Sequence, residues 1–354
     1  MSSIKDHPLR YAMANELHAR PFPTLNAPCH AAYLAIKPAQ DAAERDRSAD
    51  MAHLTALLDH YAAPHPEEGA THYFGQIGRH VLKWESHTEF VTYTIFEEGS
   101  RDTAFDVGTF AMFPETWLEA APGARVTSAL IRVEQQAGDA GISDKISDWF
   151  VPESVAVSRV LDDDAIIAGD FRIDVAGHIR FAVFARPETG ERRVGRIVQR
   201  LCEIETYKAM SMLGFSRCHN LSRDMGAIDG RLSALTEALS GPLESTEDTL
   251  DALLQISGEL EALSARSTFR FGATQAYETI VNQRIDVLRE DRFQGGQTFD
   301  EFMMRRFDPA MRTVASTKAR LDAMGGRAIR ASDLLRTRVD VERSAENKAL
   351  LESM

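Results

Sequence analysis

The spacing of apolar residues changes near residue 186, and this change constrains the fold more than any other feature of the sequence. Upstream, short apolar runs alternate with turn residues, as they do in strands. Downstream, nearly every segment carries apolar residues at three- and four-residue steps, which is typical of helices. Because 354 residues exceed what one hydrophobic core usually organises, we predict two domains, 1–185 and 186–354.

The upstream segment is predicted to be α+β (mixed α/β), with a mixed or mostly antiparallel sheet of about six strands. An amphipathic helix is predicted over 41–62 and a short one over 113–123. The strand candidates are 29–37, 77–84, 88–96, 124–133, 154–162, 171–177 and 179–185. The runs 77–84 and 88–96 are separated by three residues, which predicts a hairpin.

The downstream segment is predicted to be a bundle of at least five long helices. Gly214 is expected to end the first, and Gly325 with Gly326 to end another. Thr298 and Glu301 have the spacing of a capping box, and Asp308 followed by proline predicts a kink or restart. The last helix, 327–354, has no broad apolar stripe, so we expect neighbouring copies or a membrane to stabilise it.

Composition excludes several classes of protein. A formal net charge of −13 argues against nucleic acid as a partner. The three cysteines lack the spacing of a zinc site or a disulfide framework, which fits a reducing cytoplasm. The sequence contains no signal peptide, no apolar run of about 18 residues, and none of the common nucleotide-binding or hydrolase motifs.

The candidate catalytic residues are Glu16, His18 and Arg20, in the stretch NELHARPFP at 15–23. Glu16 and Arg20 stand four apart and can pair along a helix, whereas His18 would point elsewhere. These three side chains cannot converge on one atom from a single helix. We therefore favour a structural anchor whose prolines fix an extended exit, and we keep catalysis as the alternative.

Metal binding and cofactors have little support in the sequence. The histidine spacings do not match the patterns that place two imidazoles on one metal ion. The acidic run 162–164 offers carboxylates of the kind that Mg²⁺ prefers, but a turn explains it more simply. We predict no cofactor and keep a divalent cation (Mg²⁺) as an alternative.

The arginines at 192, 193, 305, 306, 327, 330, 336 and 338 indicate either a solvated, salt-bridged face or a surface that meets anionic lipid headgroups.

Four motifs together carry a family resemblance: HPLR at 7–10, NELHARPFP at 15–23, RRFDPAMRT at 305–313 and LLRTRVDV at 334–341. The chain resembles the bacterial family of unknown function described as predicted membrane-anchored proteins. The resemblance implies a parent protein with a hydrophobic C-terminal anchor, placing this segment at the cytoplasmic face of the inner membrane. It assigns no reaction and therefore no catalytic residues. In layout alone, the chain is similar to the CorA-type divalent-cation transporters.

The sequence leaves three functional hypotheses. The first, which we favour, is a non-enzymatic assembly or regulatory role for the cytoplasmic part of a membrane-anchored homo-oligomer. The second is a CorA-like cytosolic domain linked to divalent-cation transport. The third is an enzyme that uses the NELHARPFP segment.

Overall fold

A computed structural model describes residues 4–16, 22–38, 46–67, 69–239, 241 and 246–353. The fold is α+β, as predicted: a nine-stranded sheet is followed by long helices. The strands are β1 (Cys29–Lys37), β2 (His72–Ile77), β3 (His80–Ser86), β4 (Val91–Glu98), β5 (Ala124–Gln135), β6 (Ala156–Val160), β7 (Ala165–Gly169), β8 (Ile179–Ala185) and β9 (Asp291–Arg292).

The strand order is β2-β3-β4-β1-β5-β8-β7-β6-β9. Strands β5 and β8 are parallel, and the other pairs in the described part of the chain are antiparallel. The sheet is therefore mixed, as expected. The predicted strand at 29–37 is confirmed. The predicted hairpin pairing is also confirmed, but its strands, β3 and β4, begin three residues later than predicted.

The strand predicted at 171–177 is wrong. Asp174 accepts hydrogen bonds from the backbone N–H groups of Ala176 and His178, both at 2.9 Å, so this segment is a turn stabilised by its own side chain. The apolar strand beside β8 is instead β7, whose five residues are too few to show a clear period.

The short helices are α1 (Arg10–Glu16), α2 (Arg47–His60), α3 (Glu115–Glu119) and α4 (Ile142–Trp149), with a 3₁₀ helix at Val107–Met112. Of these, α2, α3 and α4 pack on one face of the sheet. Asp46 caps α2 by accepting a hydrogen bond from Ser48 N at 2.9 Å. The apolar side of α2 packs against strands β1, β3 and β4, with Leu57, Trp84 and Tyr93 fully buried in that core.

The described helices of the downstream segment are α5 (Glu191–Ala238), α6 (Thr246–Asp286), α7 (Phe299–Arg306) and α8 (Asp308–Ser353). Of these, α7 has only eight residues, and the four are fewer than the five or more predicted. The predicted helix ends at Gly214 and at Gly325 with Gly326 are wrong, because α5 and α8 continue through them. Gly214 serves a different purpose: a Cβ there would lie 2.1 Å from Thr274 Oγ1, so the glycine permits close packing of α5 on α6.

Two predicted start signals are confirmed. Glu301 N donates to Thr298 Oγ1 and Thr298 N donates to Glu301 Oε2, each at 3.2 Å, which is the predicted capping box. A new helix, α8, begins at Asp308. Ser245, which stands three residues before Asp248 and so has the spacing of a shortened capping box, lies outside the described residues.

The chain forms two compact units. The first contains residues 1–209 and 280–303, and the second contains residues 210–279 and 304–354. These boundaries differ from the division at residue 185 that the sequence suggests. In the first unit the beginning of α5 covers the second face of the sheet, where Lys83 Nζ donates to Gln199 Oε1 and Thr127 Oγ1 donates to Glu205 Oε1, both at 2.8 Å.

Candidate functional site

The segment predicted to carry a catalytic or anchoring role is only partly described. His18 and Arg20 lie outside the described residues, and only the backbone of Glu16, at the end of α1, is described. The exit of the segment is described: Pro23 is buried, and Leu25 N donates to Glu191 O at 3.2 Å. The catalytic and anchoring roles of Glu16, His18 and Arg20 therefore remain predictions.

A cluster of five ionisable groups is centred on Glu97, near the end of β4. We call it the Glu97 cluster: Arg79, His30, His80, Glu97 and Arg101. Glu97 Oε2 lies 2.7 Å from His30 Nε2 and accepts from Arg101 Nη2 at 3.1 Å. Its other oxygen lies 2.9 Å from Arg79 Nε and 3.7 Å from His80 Nδ1. Adjacent strands bring these groups together, because His30 on β1 is the register partner of Glu97.

The groups around Glu97 favour its ionised form. Burial by itself would raise the pKa of Glu97, but hydrogen bonds from Arg101 and His30 and the charges around it lower that pKa. Burial also lowers the pKa of His80. Both oxygens of Glu97 are occupied by protein groups, so the carboxylate is poorly placed to act as a base. The arrangement indicates a structural ion-pair network.

The acidic run at 162–164 forms the turn between β6 and β7, as the simpler sequence interpretation predicts. Asp162 and Asp163 have positive φ angles, 60° and 71°. Each carboxylate of the run pairs with an arginine: Asp162 with Arg289 at 2.7 Å, Asp163 with Arg186 at 2.9 Å, and Asp164 with Arg193 at 2.5 Å. In the described part of the chain, no group of three or more His, Cys, Asp or Glu residues has the geometry to hold a metal ion.

The described side chains at the end of α8 are exposed. Arg338 Nη1 donates to two carbonyl oxygens at the end of α5, those of Leu239 at 3.1 Å and Gly241 at 2.9 Å. Beyond Arg338, the described side chains from 340 to 353 are all exposed. This part of the helix is about 20 Å long at a rise of roughly 1.5 Å per residue. Its apolar side chains include Val341 and Leu351, which are 63% and 75% exposed.

The basic residues of α8 are partly accounted for by this packing. Arg320 Nη2 and Arg327 Nη1 both donate to Asp229 on α5, at 3.0 and 2.7 Å. Together with the bonds from Arg338, these contacts give the sequence-predicted salt-bridged face a specific role, which is to fasten α8 along α5. None of the described helices is both sufficiently long and sufficiently apolar to cross a bilayer.

A sequence model of a family described as "Protein of unknown function (DUF3422)" matches residues 5–354. The chain belongs to this family. The match covers almost the whole chain and agrees with the resemblance to a family of unknown function. Comparison with curated proteins found no match, and comparison with solved structures found none either.

Sequence reasoning missed the Glu97 cluster in this DUF3422 chain. His30 and Glu97 are separated by 67 residues and become neighbours only through the β1–β4 register. The sequence does contain a signal for this cluster. On β1, His30 lies two residues before the buried Ala32 and shares its face of the strand. On β4, Glu97 lies two residues after the buried Ile95 and shares its face. That signal becomes interpretable only after the strands have been paired.

Proposed function

We propose that this DUF3422 chain has a non-enzymatic assembly or regulatory role as the cytoplasmic part of a membrane-anchored homo-oligomer, and that α8 pairs with α8 of a second copy. The observation that carries the proposal is the exposure of the end of α8, where every described side chain from 340 to 353 is exposed. The location at the cytoplasmic face of the inner membrane rests on the motif resemblance. The pairing of α8 rests on the spacing of its exposed apolar residues.

A single helix end of this kind has little intrinsic stability in water. Nucleation is costly, and most helical stability in proteins comes from packing an apolar face. Leu334, Val341 and Leu351 are all exposed and follow one another at steps of seven and ten residues. These steps correspond to positions a, a and d of a heptad, which is the spacing that a left-handed coiled coil buries. A second copy would supply the same stripe, so pairing would cover all three side chains.

Hydrogen exchange at high and low protein concentration tests the pairing, together with sedimentation to give the mass. We expect protection of residues 340–353 to rise with concentration as oligomers form. The variants V341K and L351K should remove both the association and the protection. A349K adds the same charge at an exposed position outside the stripe and should change neither. Strong, concentration-independent protection of 340–353 in a demonstrated monomer would contradict the proposal.

The two alternative functions predict other results. A CorA-like cation-linked domain should retain a divalent metal after purification, and its association should respond to Mg²⁺ and to chelator. An enzyme that uses the 15–23 segment should lose activity in H18A or R20A without losing thermal stability. Neither result is expected for a domain whose role is assembly.

A further inference from the structure

A pocket of about 270 Å³ in the first unit is lined mainly by arginines. It lies where the beginning of α5 passes the end of α6 and the turn between β6 and β7. Arg193, Arg196 and Arg200 come from α5, and Arg289 follows α6. Among the described residues that line the pocket, Asp164 alone is acidic.

Two of these four guanidinium groups have carboxylate partners. Arg193 pairs with Asp164, and Arg289 pairs with Asp162 outside the pocket. Arg200 Nη1 donates to the carbonyl oxygen of Val287 at 3.1 Å. Arg196 Nε donates to the carbonyl oxygen of Arg192, one turn earlier on the same helix, at 3.3 Å. In the described part of the chain, neither Arg196 nor Arg200 has a carboxylate within ion-pair distance.

This arrangement is unfavourable unless something else compensates the charge. Arg196 and Arg200 are four residues apart on one helix, a spacing at which like charges repel. Both are partly buried, which weakens the screening that water provides. Burial and the charge of Arg196 lower the pKa of Arg200, and this effect outweighs the charge of Glu203, which raises that pKa. The pocket therefore has a local excess of two positive charges, although the formal net charge of the whole chain is −13.

We propose that this pocket binds the phosphate group of a phosphate monoester, held by Arg196 and Arg200. A phosphate monoester dianion carries nearly two negative charges, which would balance the two arginines that have no carboxylate partner. It also has three acceptor oxygens for guanidinium donors. Arginine suits this task because its planar fork matches phosphate geometry and stays charged when partly buried. The inference concerns the first unit and is independent of the pairing of α8.

The first experiment titrates the full chain with inorganic phosphate, using calorimetry and thermal unfolding with chloride at matched ionic strength. We expect phosphate to bind and to raise Tm. R196Q and R200Q should each weaken phosphate binding at least tenfold, because each removes a hydrogen bond to a charged group, and such bonds are among the stronger ones in proteins. R192Q is the matched control, because it removes the same charge from an exposed residue of α5 outside the pocket lining.

R200Q removes a hydrogen bond to Val287 and can therefore destabilise the protein. R196Q alone then tests the proposal, because the described hydrogen bond of Arg196 stays within its own helix. Equal phosphate responses in wild type, R192Q and R196Q, or no response in wild type, would overturn the proposal. A second arm uses phosphatidylcholine vesicles with and without phosphatidic acid, whose headgroup is a phosphate monoester. Vesicle binding that requires Arg196 and is competed by phosphate assigns a lipid source, whereas phosphate binding without vesicle binding assigns a soluble one.

Discussion

Gly195 and Pro23 approach so closely that a Cβ atom on Gly195 would lie 1.7 Å from the carbonyl oxygen of Pro23. The contact joins the second turn of α5 to the end of the NELHARPFP segment. No side chain other than hydrogen fits at this distance, and the obstacle is backbone, which cannot rotate away. The exit of the motif therefore depends on a glycine about 170 residues away in the sequence.

We predict that Gly195→Ala destabilises the protein by about 2–3 kcal/mol, through overpacking against Pro23. Gly226 is the matched control: it lies in the same helix, and a Cβ atom added there would have no described atom within 4 Å beyond its own helical turn. Gly226→Ala should stabilise by about 0.5–1 kcal/mol, because alanine is the better helix former. Chemical unfolding of both variants measures the difference. If both substitutions stabilised the protein by the same amount, the contact between Gly195 and Pro23 would have room for a Cβ atom.

The contact between Gly214 and Thr274 gives a second prediction. Gly214→Ala should destabilise despite its better helix propensity, because its Cβ would meet Thr274 Oγ1 at 2.1 Å and Thr274 Cβ at 3.0 Å. Thr274→Ala removes the nearest atom, and Thr274 Oγ1 is buried without a hydrogen-bond partner among the described residues. The double variant should therefore recover part of the lost stability. Additive effects of the two substitutions would contradict direct packing.

Glu290 gives a prediction on pH dependence. Its carboxylate accepts from Ser158 Oγ at 2.5 Å and from the backbone N–H groups of Phe299 and Asp300 at 3.0 and 2.9 Å. Burial nevertheless raises the pKa of Glu290, so the folded state holds the proton more tightly than the unfolded state. This contribution to stability is complete below the unfolded pKa and is lost as pH rises through the folded pKa.

Glu290→Gln removes that titration. Its stability relative to wild type should therefore increase as pH rises from about 4 to 7. Urea unfolding of both proteins across this range provides the measurement. If the stability difference stays constant as pH rises, or changes in favour of wild type, the three hydrogen bonds stabilise the carboxylate more than burial destabilises it.

Asp139 should show the opposite pH dependence. Arg186 Nη2 donates to Asp139 Oδ1 at 2.7 Å, and the hydrogen bonds from Arg186 and then Arg159 lower the pKa of Asp139. Its contribution is present above the unfolded pKa and is lost as pH falls through the folded pKa. Asp139→Asn should cost about 1 kcal/mol at pH 7, a value discounted for solvent exposure. That difference should shrink in acid, and the exposed Asp102→Asn should have little effect at either pH.

Local signals in the sequence were enough to predict the elements that depend on neighbouring residues. Cys29–Lys37 is a strand because its apolar run is bounded by prolines, and Thr298 and Glu301 cap α7 through bonds that span three residues. The α+β class and the restart at Asp308 follow from similarly local signals. These interactions need no knowledge of the rest of the chain, because their partners are fixed by spacing alone.

Tertiary structure decided what depends on partners far away in the sequence. The local sequence predicts that a helix ends at Gly214. The helix continues because close packing on Thr274 outweighs the weak tendency of glycine to end a helix. The Glu97 cluster requires the β1–β4 register, and the arginine pocket requires Arg289 to lie beside Arg196, 93 residues earlier. Such contacts are set by chain topology and buried packing, so one-dimensional spacing carries no direct record of them.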